Sequence, residues 1–175
     1  MKDPFAHQLR LDQIRDGERL DLIADEAERK TIGKRLALLS LDRLECHVTL
    51  AKTGDAVRAG GRLLAAVGQS CVVTGEPVSA HVDEHFEILF MPEPHNPHSE
   101  EEIELDEKDC DIVFHDGATI DLGSAIADTL ALSLDPYPRS AAADAALKEA
   151  GVLTEEQASP FAMLARLKRN DADQS

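Results

Sequence analysis

Between Leu44 and Phe90 the chain alternates apolar and polar residues through three successive stretches, a two-residue period that specifies a β-meander. The first stretch places Leu44, Cys46, Val48 and Leu50 on one face and Glu45, His47 and Thr49 on the other. Along the second, Leu63, Ala65, Val67, Cys71 and Val73 share a face that Gln69 interrupts. The third sets Val82, Phe86, Ile88 and Phe90 inward and His81, Asp83, His85 and Glu87 outward. Thr53-Gly54-Asp55 and Gly75-Glu76-Pro77 carry the residue types of tight turns, and Gly60-Gly61 reads as a further turn rather than a nucleotide loop. A fourth alternating stretch, 7–14, puts Leu9 and Leu11 on one side.

Helical signals flank these strands. Over 24–39, acids (Asp25, Glu26, Glu28) precede bases (Lys30, Lys34, Arg35), the order that suits the helix dipole. Glu26 and Lys30 stand at i,i+4, and Ile32, Leu36 and Leu39 form an apolar stripe. Over 121–134, Leu122, Ala125, Ile126, Thr129 and Leu130 make a second stripe that Pro136 terminates, with Pro138 prolonging the break. A short helix over 142–150, closed by Gly151, is expected next. Ser159 then caps a last helix that has Pro160 at its first position and Phe161, Leu164 and Leu167 along one side. The fold class expected is α+β: an antiparallel, curled or barrel-like sheet flanked by helices, with a mobile acidic loop over 91–109. Residues 1–139 are expected to form a single domain, 140–158 a loose linker or short helix, and 159–170 a docking helix.

Charge narrows the range of partners. The 175 residues carry a formal charge of −16. From Asp83 to Asp111 twelve acids face one base, Lys108, so this stretch alone contributes −11. Such a field repels phosphate backbones and disfavours an extended grip on RNA, whereas a basic protein such as a ribosomal protein suits it. The exception is the basic end of the last helix, where Arg166, Lys168 and Arg169 cluster and allow at most a weak, salt-sensitive RNA contact. Three irregularly spaced cysteines (Cys46, Cys71, Cys110) offer no disulfide framework and read as reduced thiols. Met1-Lys2-Asp3-Pro4-Phe5 lacks the apolar core of a signal peptide, and no run reaches membrane-spanning length, so a soluble, cytoplasmic protein is expected.

Little in the chain resembles catalytic machinery. No Gly-x-Ser-x-Gly, phosphate-cradling loop or carboxylate pair beside a purposeful base is present, so no enzyme activity and no cofactor are expected. Cys71, on the inward face, reads as a small buried hydrophobe. His81, His85, His95, His98 and Cys110 would be the donors of a metal-responsive binding module, the alternative reading, although their spacing matches no zinc pattern.

Three pieces carry a family resemblance: Gln69-Ser70-Cys71-Val72-Val73-Thr74-Gly75-Glu76-Pro77-Val78; Ile120-Asp121-Leu122 leading to Leu130 through Pro138; and Ser159 through Arg169. In this order and spacing they resemble the YceD family of large ribosomal RNA subunit accumulation proteins. The resemblance implies a role in the synthesis, processing or stability of 23S rRNA, exercised through a ribosomal protein or assembly factor. Family members often show Cys-x-x-Cys where this chain has Cys71-Val72-Val73-Thr74, and replacing the second thiol by Thr74 argues against a zinc site there. The contact residues expected are Tyr137 and Arg139 at the helix break, Phe161, Leu164 and Leu167 as apolar anchors, and Lys168 and Arg169 at their rim.

Overall fold

The computed structural model describes residues 8–93 and 111–152. The elements run β1 (Gln8–Arg10), β2 (Glu18–Ile23), α1 (Glu26–Arg35), β3 (Ser40–Thr53), β4 (Ala56–Ser70), β5 (Pro77–Pro92), β6 (Asp111–His115), β7 (Thr119–Asp121), α2 (Leu122–Ser133) and α3 (Ala143–Glu149). The chain divides into two compact units, one of residues 1–69 and 79–136, the other of 70–78 and 137–175. The class is α+β, as the sequence leads one to expect.

In the first unit, β3, β4 and β5 form the meander read from the alternation, and β2 and β6 extend it to the order β2-β3-β4-β5-β6. The sheet is mixed rather than antiparallel throughout, because β6 runs parallel to β5, with Ile88 opposite Asp111 and Pro92 opposite His115. Among the described residues β2 and β6 do not pair with each other, so the sheet is open and not a closed barrel. β1 and β7 make a separate two-stranded sheet, with Leu9 opposite Ile120. The expected strand over 7–14 is thus cut short at Arg10, and Leu11 and Ile14 enter the core from the turn that follows.

The alternation sorts the sheet into two unlike faces. Leu44, Cys46, Val48, Leu50, Leu63, Ala65, Val67, Val82, Ile88 and Phe90 are buried and pack in one core with Leu122, Ile126 and Leu130 of α2. On the opposite face, charges pair across strands: Arg62 holds Asp83 through two bonds of 2.6 Å, Arg58 holds Glu87, and Asp21 meets Nδ1 of His47 at 2.7 Å. This face is close to neutral and solvated, as a half-buried sheet requires.

Local chemistry sets the helix bounds. The side chain of Asp25 accepts from the Glu28 backbone N–H at 2.9 Å and the Glu28 side chain accepts from the Asp25 N–H at 2.8 Å, a reciprocal cap that starts α1. Lys30 meets Glu26 at 2.6 Å as the spacing implies. α1 nevertheless ends at Arg35, before the 39 expected, because Ala37 turns to φ 53° and directs the chain into β3. Leu39 consequently leaves the stripe and is 56% exposed, while Ile32 stays buried. Asp121 caps α2 through the Ser124 N–H at 2.9 Å, and Arg35 ties the end of α1 to Asp128 of α2 at 2.6 Å.

Gly60 and Gly61 do not turn the chain. They lie inside β4, opposite Thr49 and Val48. A side chain at 61 would collide with β3, since a Cβ there would lie 2.1 Å from the His47 carbonyl oxygen. Close approach of two backbones, not a bend, is what requires glycine at this position.

Candidate functional site

The second unit holds residues 70–78 of the first stretch of the family resemblance and two of the contact residues expected from the sequence, whereas 120–136 belongs to the first unit. After β4 ends at Ser70, six residues loop back to β5. Gly75 permits the reversal by adopting φ 74°, which a side chain disfavours. The loop is closed by its own backbone, with Gly75 N donating to the Cys71 carbonyl at 2.9 Å and Cys71 N to the Glu76 carbonyl at 2.8 Å.

This turn grips the segment that follows Pro136. Val72 N donates to the Pro138 carbonyl at 2.9 Å, and Ser140 N donates to Cys71 Sγ at 3.3 Å. Thr74 N reaches the same sulfur at 3.4 Å, and Thr74 Oγ1 lies 3.2 Å from Ser140 Oγ. The 71–76 turn and the 137–140 segment, more than sixty residues apart in sequence, are thereby joined in one hydrogen-bonded assembly.

Cys71 is 3% exposed, as the alternation implies, but it is not an inert hydrophobe. Its thiol pKa is drawn down to about 6. The Thr74 hydroxyl is the largest cause, opposed by burial and assisted by the backbone N–H groups of Ser140, Thr74 and Val73. The sulfur serves as the acceptor on which these N–H groups converge. Cys46, with burial as its sole cause, moves the other way, up to about 12. Thr74, which stands where a second thiol would complete a Cys-x-x-Cys pair, instead supplies a hydroxyl and an N–H to the first.

Of the expected contact residues, Tyr137 is 71% exposed on the segment the turn fixes, next to the buried Pro138. Arg139 is exposed and its Nη1 stands 4.0 Å from Asp144 at the start of α3. Phe161, Leu164, Leu167, Lys168 and Arg169 lie outside the described residues. The short helix expected over 142–150 is present as α3, and Gly151 closes it at φ 75°. Exposed Val72 and the bridging Ser140 were not singled out from the sequence. Nothing local in either marks it, because each acquires its role from a partner distant in the chain.

For the metal-responsive alternative, His81 and His85 sit on the outward face of β5, while His95, His98 and Cys110 fall outside the described residues. Among the described residues no three His, Cys, Asp or Glu side chains converge as metal ligands. Nor is any helix among them long and apolar enough to cross a membrane.

The family model for the large ribosomal RNA subunit accumulation protein YceD matches residues 59–168, more than half of the chain. The chain belongs to the YceD family. The match begins within β4, passes through the Cys71 turn and α2, and extends beyond α3, so it spans the whole assembly of turn and Tyr137–Ser140 segment. A search of curated proteins and one of solved structures each returned no match. Membership in YceD ties the protein to accumulation of large-subunit ribosomal RNA. Thr74 is part of the hydrogen-bond network of this turn, through its N–H to Cys71 Sγ and its hydroxyl beside Ser140 Oγ.

Proposed function

We propose that this YceD protein is a non-enzymatic ribosome-biogenesis factor that supports the synthesis, processing or stability of 23S rRNA by engaging a basic protein partner in the cytoplasm. The family match over 59–168 carries the reading. Charge supports the choice of partner. The second unit contains five bases and seven acids, so −14 of the −16 belongs to the first unit. The acidic unit attracts a ribosomal protein or assembly factor over a distance. The nearly neutral unit supplies contact through Tyr137 and Arg139, and through Phe161, Leu164, Leu167, Lys168 and Arg169 of the terminal segment. Contact with rRNA itself is weak or indirect, because so acidic a chain cannot release many phosphate counterions.

Deleting the gene and measuring the ratio of large- to small-subunit rRNA tests the reading: the large-subunit RNA falls selectively and recovers with the intact protein. An unchanged ratio refutes it. The contact residues are tested separately by a chain ending at Ala158, which is expected to keep its melting temperature, to lose capture of ribosomal or assembly proteins at low salt, and to fail in complementation. A lowered melting temperature with capture intact would assign residues 159–169 to the fold instead.

A further inference from the structure

β2 ends the five-stranded sheet, and its outer edge is open among the described residues. Ala24 N donates to the Leu44 carbonyl at 3.0 Å, continuing a register in which Leu20 faces Val48 and Leu22 faces Cys46. By antiparallel alternation the even residues spend their backbone groups on β3, and the N–H and C=O groups of Arg19, Asp21 and Ile23 point away from the sheet. Over 19–23 the edge has no proline, no bulge in the pairing with β3, and no charge on the inward side, where Leu20 and Leu22 lie. Ile23 is 67% exposed.

We propose that β2 pairs antiparallel with β2 of a second copy of this chain, about a two-fold axis through Leu20. The segment Arg19-Leu20-Asp21 is complementary to itself in that register. Arg19 stands opposite Asp21 of the second copy, and by symmetry Asp21 stands opposite its Arg19. Leu20 faces Leu20 on the inward side. Backbone bonding requires odd residues opposite odd residues, which leaves two neighbouring symmetric registers. Centring on Asp21 sets two carboxylates face to face, and centring on Arg19 sets two guanidiniums face to face; both are disfavoured. Charge therefore favours the register through Leu20 over both neighbours. Among the described residues the Arg19 side chain forms no hydrogen bond, and Asp21 uses Oδ1 on His47 at 2.7 Å, which leaves Oδ2 for the incoming guanidinium. The product is a ten-stranded sheet with isologous contacts, and because each copy contributes one short strand the dimer dissociates on dilution.

The test uses the full chain in low salt, with mass measured by sedimentation across a concentration series. The wild type rises from 19.0 kDa toward twice that mass. Arg19→Asp and Asp21→Arg each set like charges opposite one another and weaken the association about tenfold. The double variant R19D/D21R reverses both partners and restores it. All three variants fold, as shown by an unchanged circular dichroism spectrum, because both side chains are exposed. Amide hydrogen exchange at Arg19, Asp21 and Ile23 slows as concentration rises. A monomer at every concentration overturns the proposal. So does a dimer indifferent to the single changes, a double variant no better than the singles, or a free chain whose β2 edge is taken up only by a strand of a different protein.

Discussion

Replacing Gly61 by alanine isolates one consequence of the fold. A Cβ at 61 would lie 2.1 Å from the His47 carbonyl oxygen, 2.9 Å from Val48 Cα and 3.0 Å from His47 C. All three are backbone atoms of β3, so no side-chain rotation relieves the clash and the two strands must separate. Overpacking of this kind costs up to about 3 kcal/mol. Alanine recovers up to about 1 kcal/mol of that by stiffening the unfolded chain. The net loss, about 2 kcal/mol, lowers the melting temperature of a protein of this size by about 4–8 °C. Gly60→Ala is the internal control, because the nearest atom to its Cβ is the Phe86 carbonyl oxygen at 4.0 Å, an ordinary contact. That variant should melt with the wild type or slightly above it. Thermal unfolding of the three proteins side by side gives the answer. A Gly61→Ala protein as stable as Gly60→Ala would refute the close approach of β3 and β4 and, with it, the reason given for the glycine.

Other expectations concern the motif turn and the first helix. Cys71 has a pKa near 6 when folded against an ordinary 9.0, so the thiolate contributes its full stabilisation above pH 9.0 and loses it as pH falls through about 6. The stability gap between wild type and Cys71→Ser should accordingly widen from pH 5 to pH 9 in denaturant titrations, and a constant gap would contradict the network around the sulfur. Ultraviolet titration should find one thiolate forming near pH 6 that the Cys71→Ser variant lacks, while Cys46 remains protonated up to about 12. Asp25→Ala removes the cap of α1 and should cost about 1 kcal/mol, read as a fall of about 2–4 °C in melting temperature.

The parts of this fold legible in the sequence are those whose pattern is long. Leu44 to Leu50 and Val82 to Phe90 announce strand faces over four or more apolar positions, and Asp121 to Pro136 gives a helix both its cap and its stop. Short elements were harder. β2 alternates correctly, yet Leu20 and Leu22 are too few to separate a strand from a loop, and only pairing with β3 makes it one. β6 reads Asp-Ile-Val-Phe-His, and its membership in the sheet depends on β5, which no local signal encodes. In the sequence Gln69 interrupts an apolar row. Its side chain instead donates to the Asp135 carbonyl at 2.8 Å, securing the chain after α2. At the candidate site the exposure of Tyr137 followed from the proline break, but the role of Cys71 did not. Burial alone raises a thiol pKa, and what reverses the direction is the Thr74 side chain first, then a set of N–H groups that includes one from a residue 69 positions away.

The parallel pairing of β5 with β6 has a consequence for how this chain can vary. Pro92 lies level with His115, and Asp111 is level with Ile88, so the end of β5 and the start of β6 lie at opposite ends of the pair. Parallel neighbours cannot be joined by a tight hairpin and need a connection of about a dozen residues or more. Seventeen residues, 94–110, stand between the described ends of this connection. Topology thus sets a minimum length there while leaving composition free. Substitutions that neutralise its glutamates leave the strand order possible, whereas trimming it to a few residues would strand β6 and take the buried His115 from its place beside the Asp55 carbonyl. Acidity in this stretch is thus open to substitution, whereas its length can fall only to about a dozen residues.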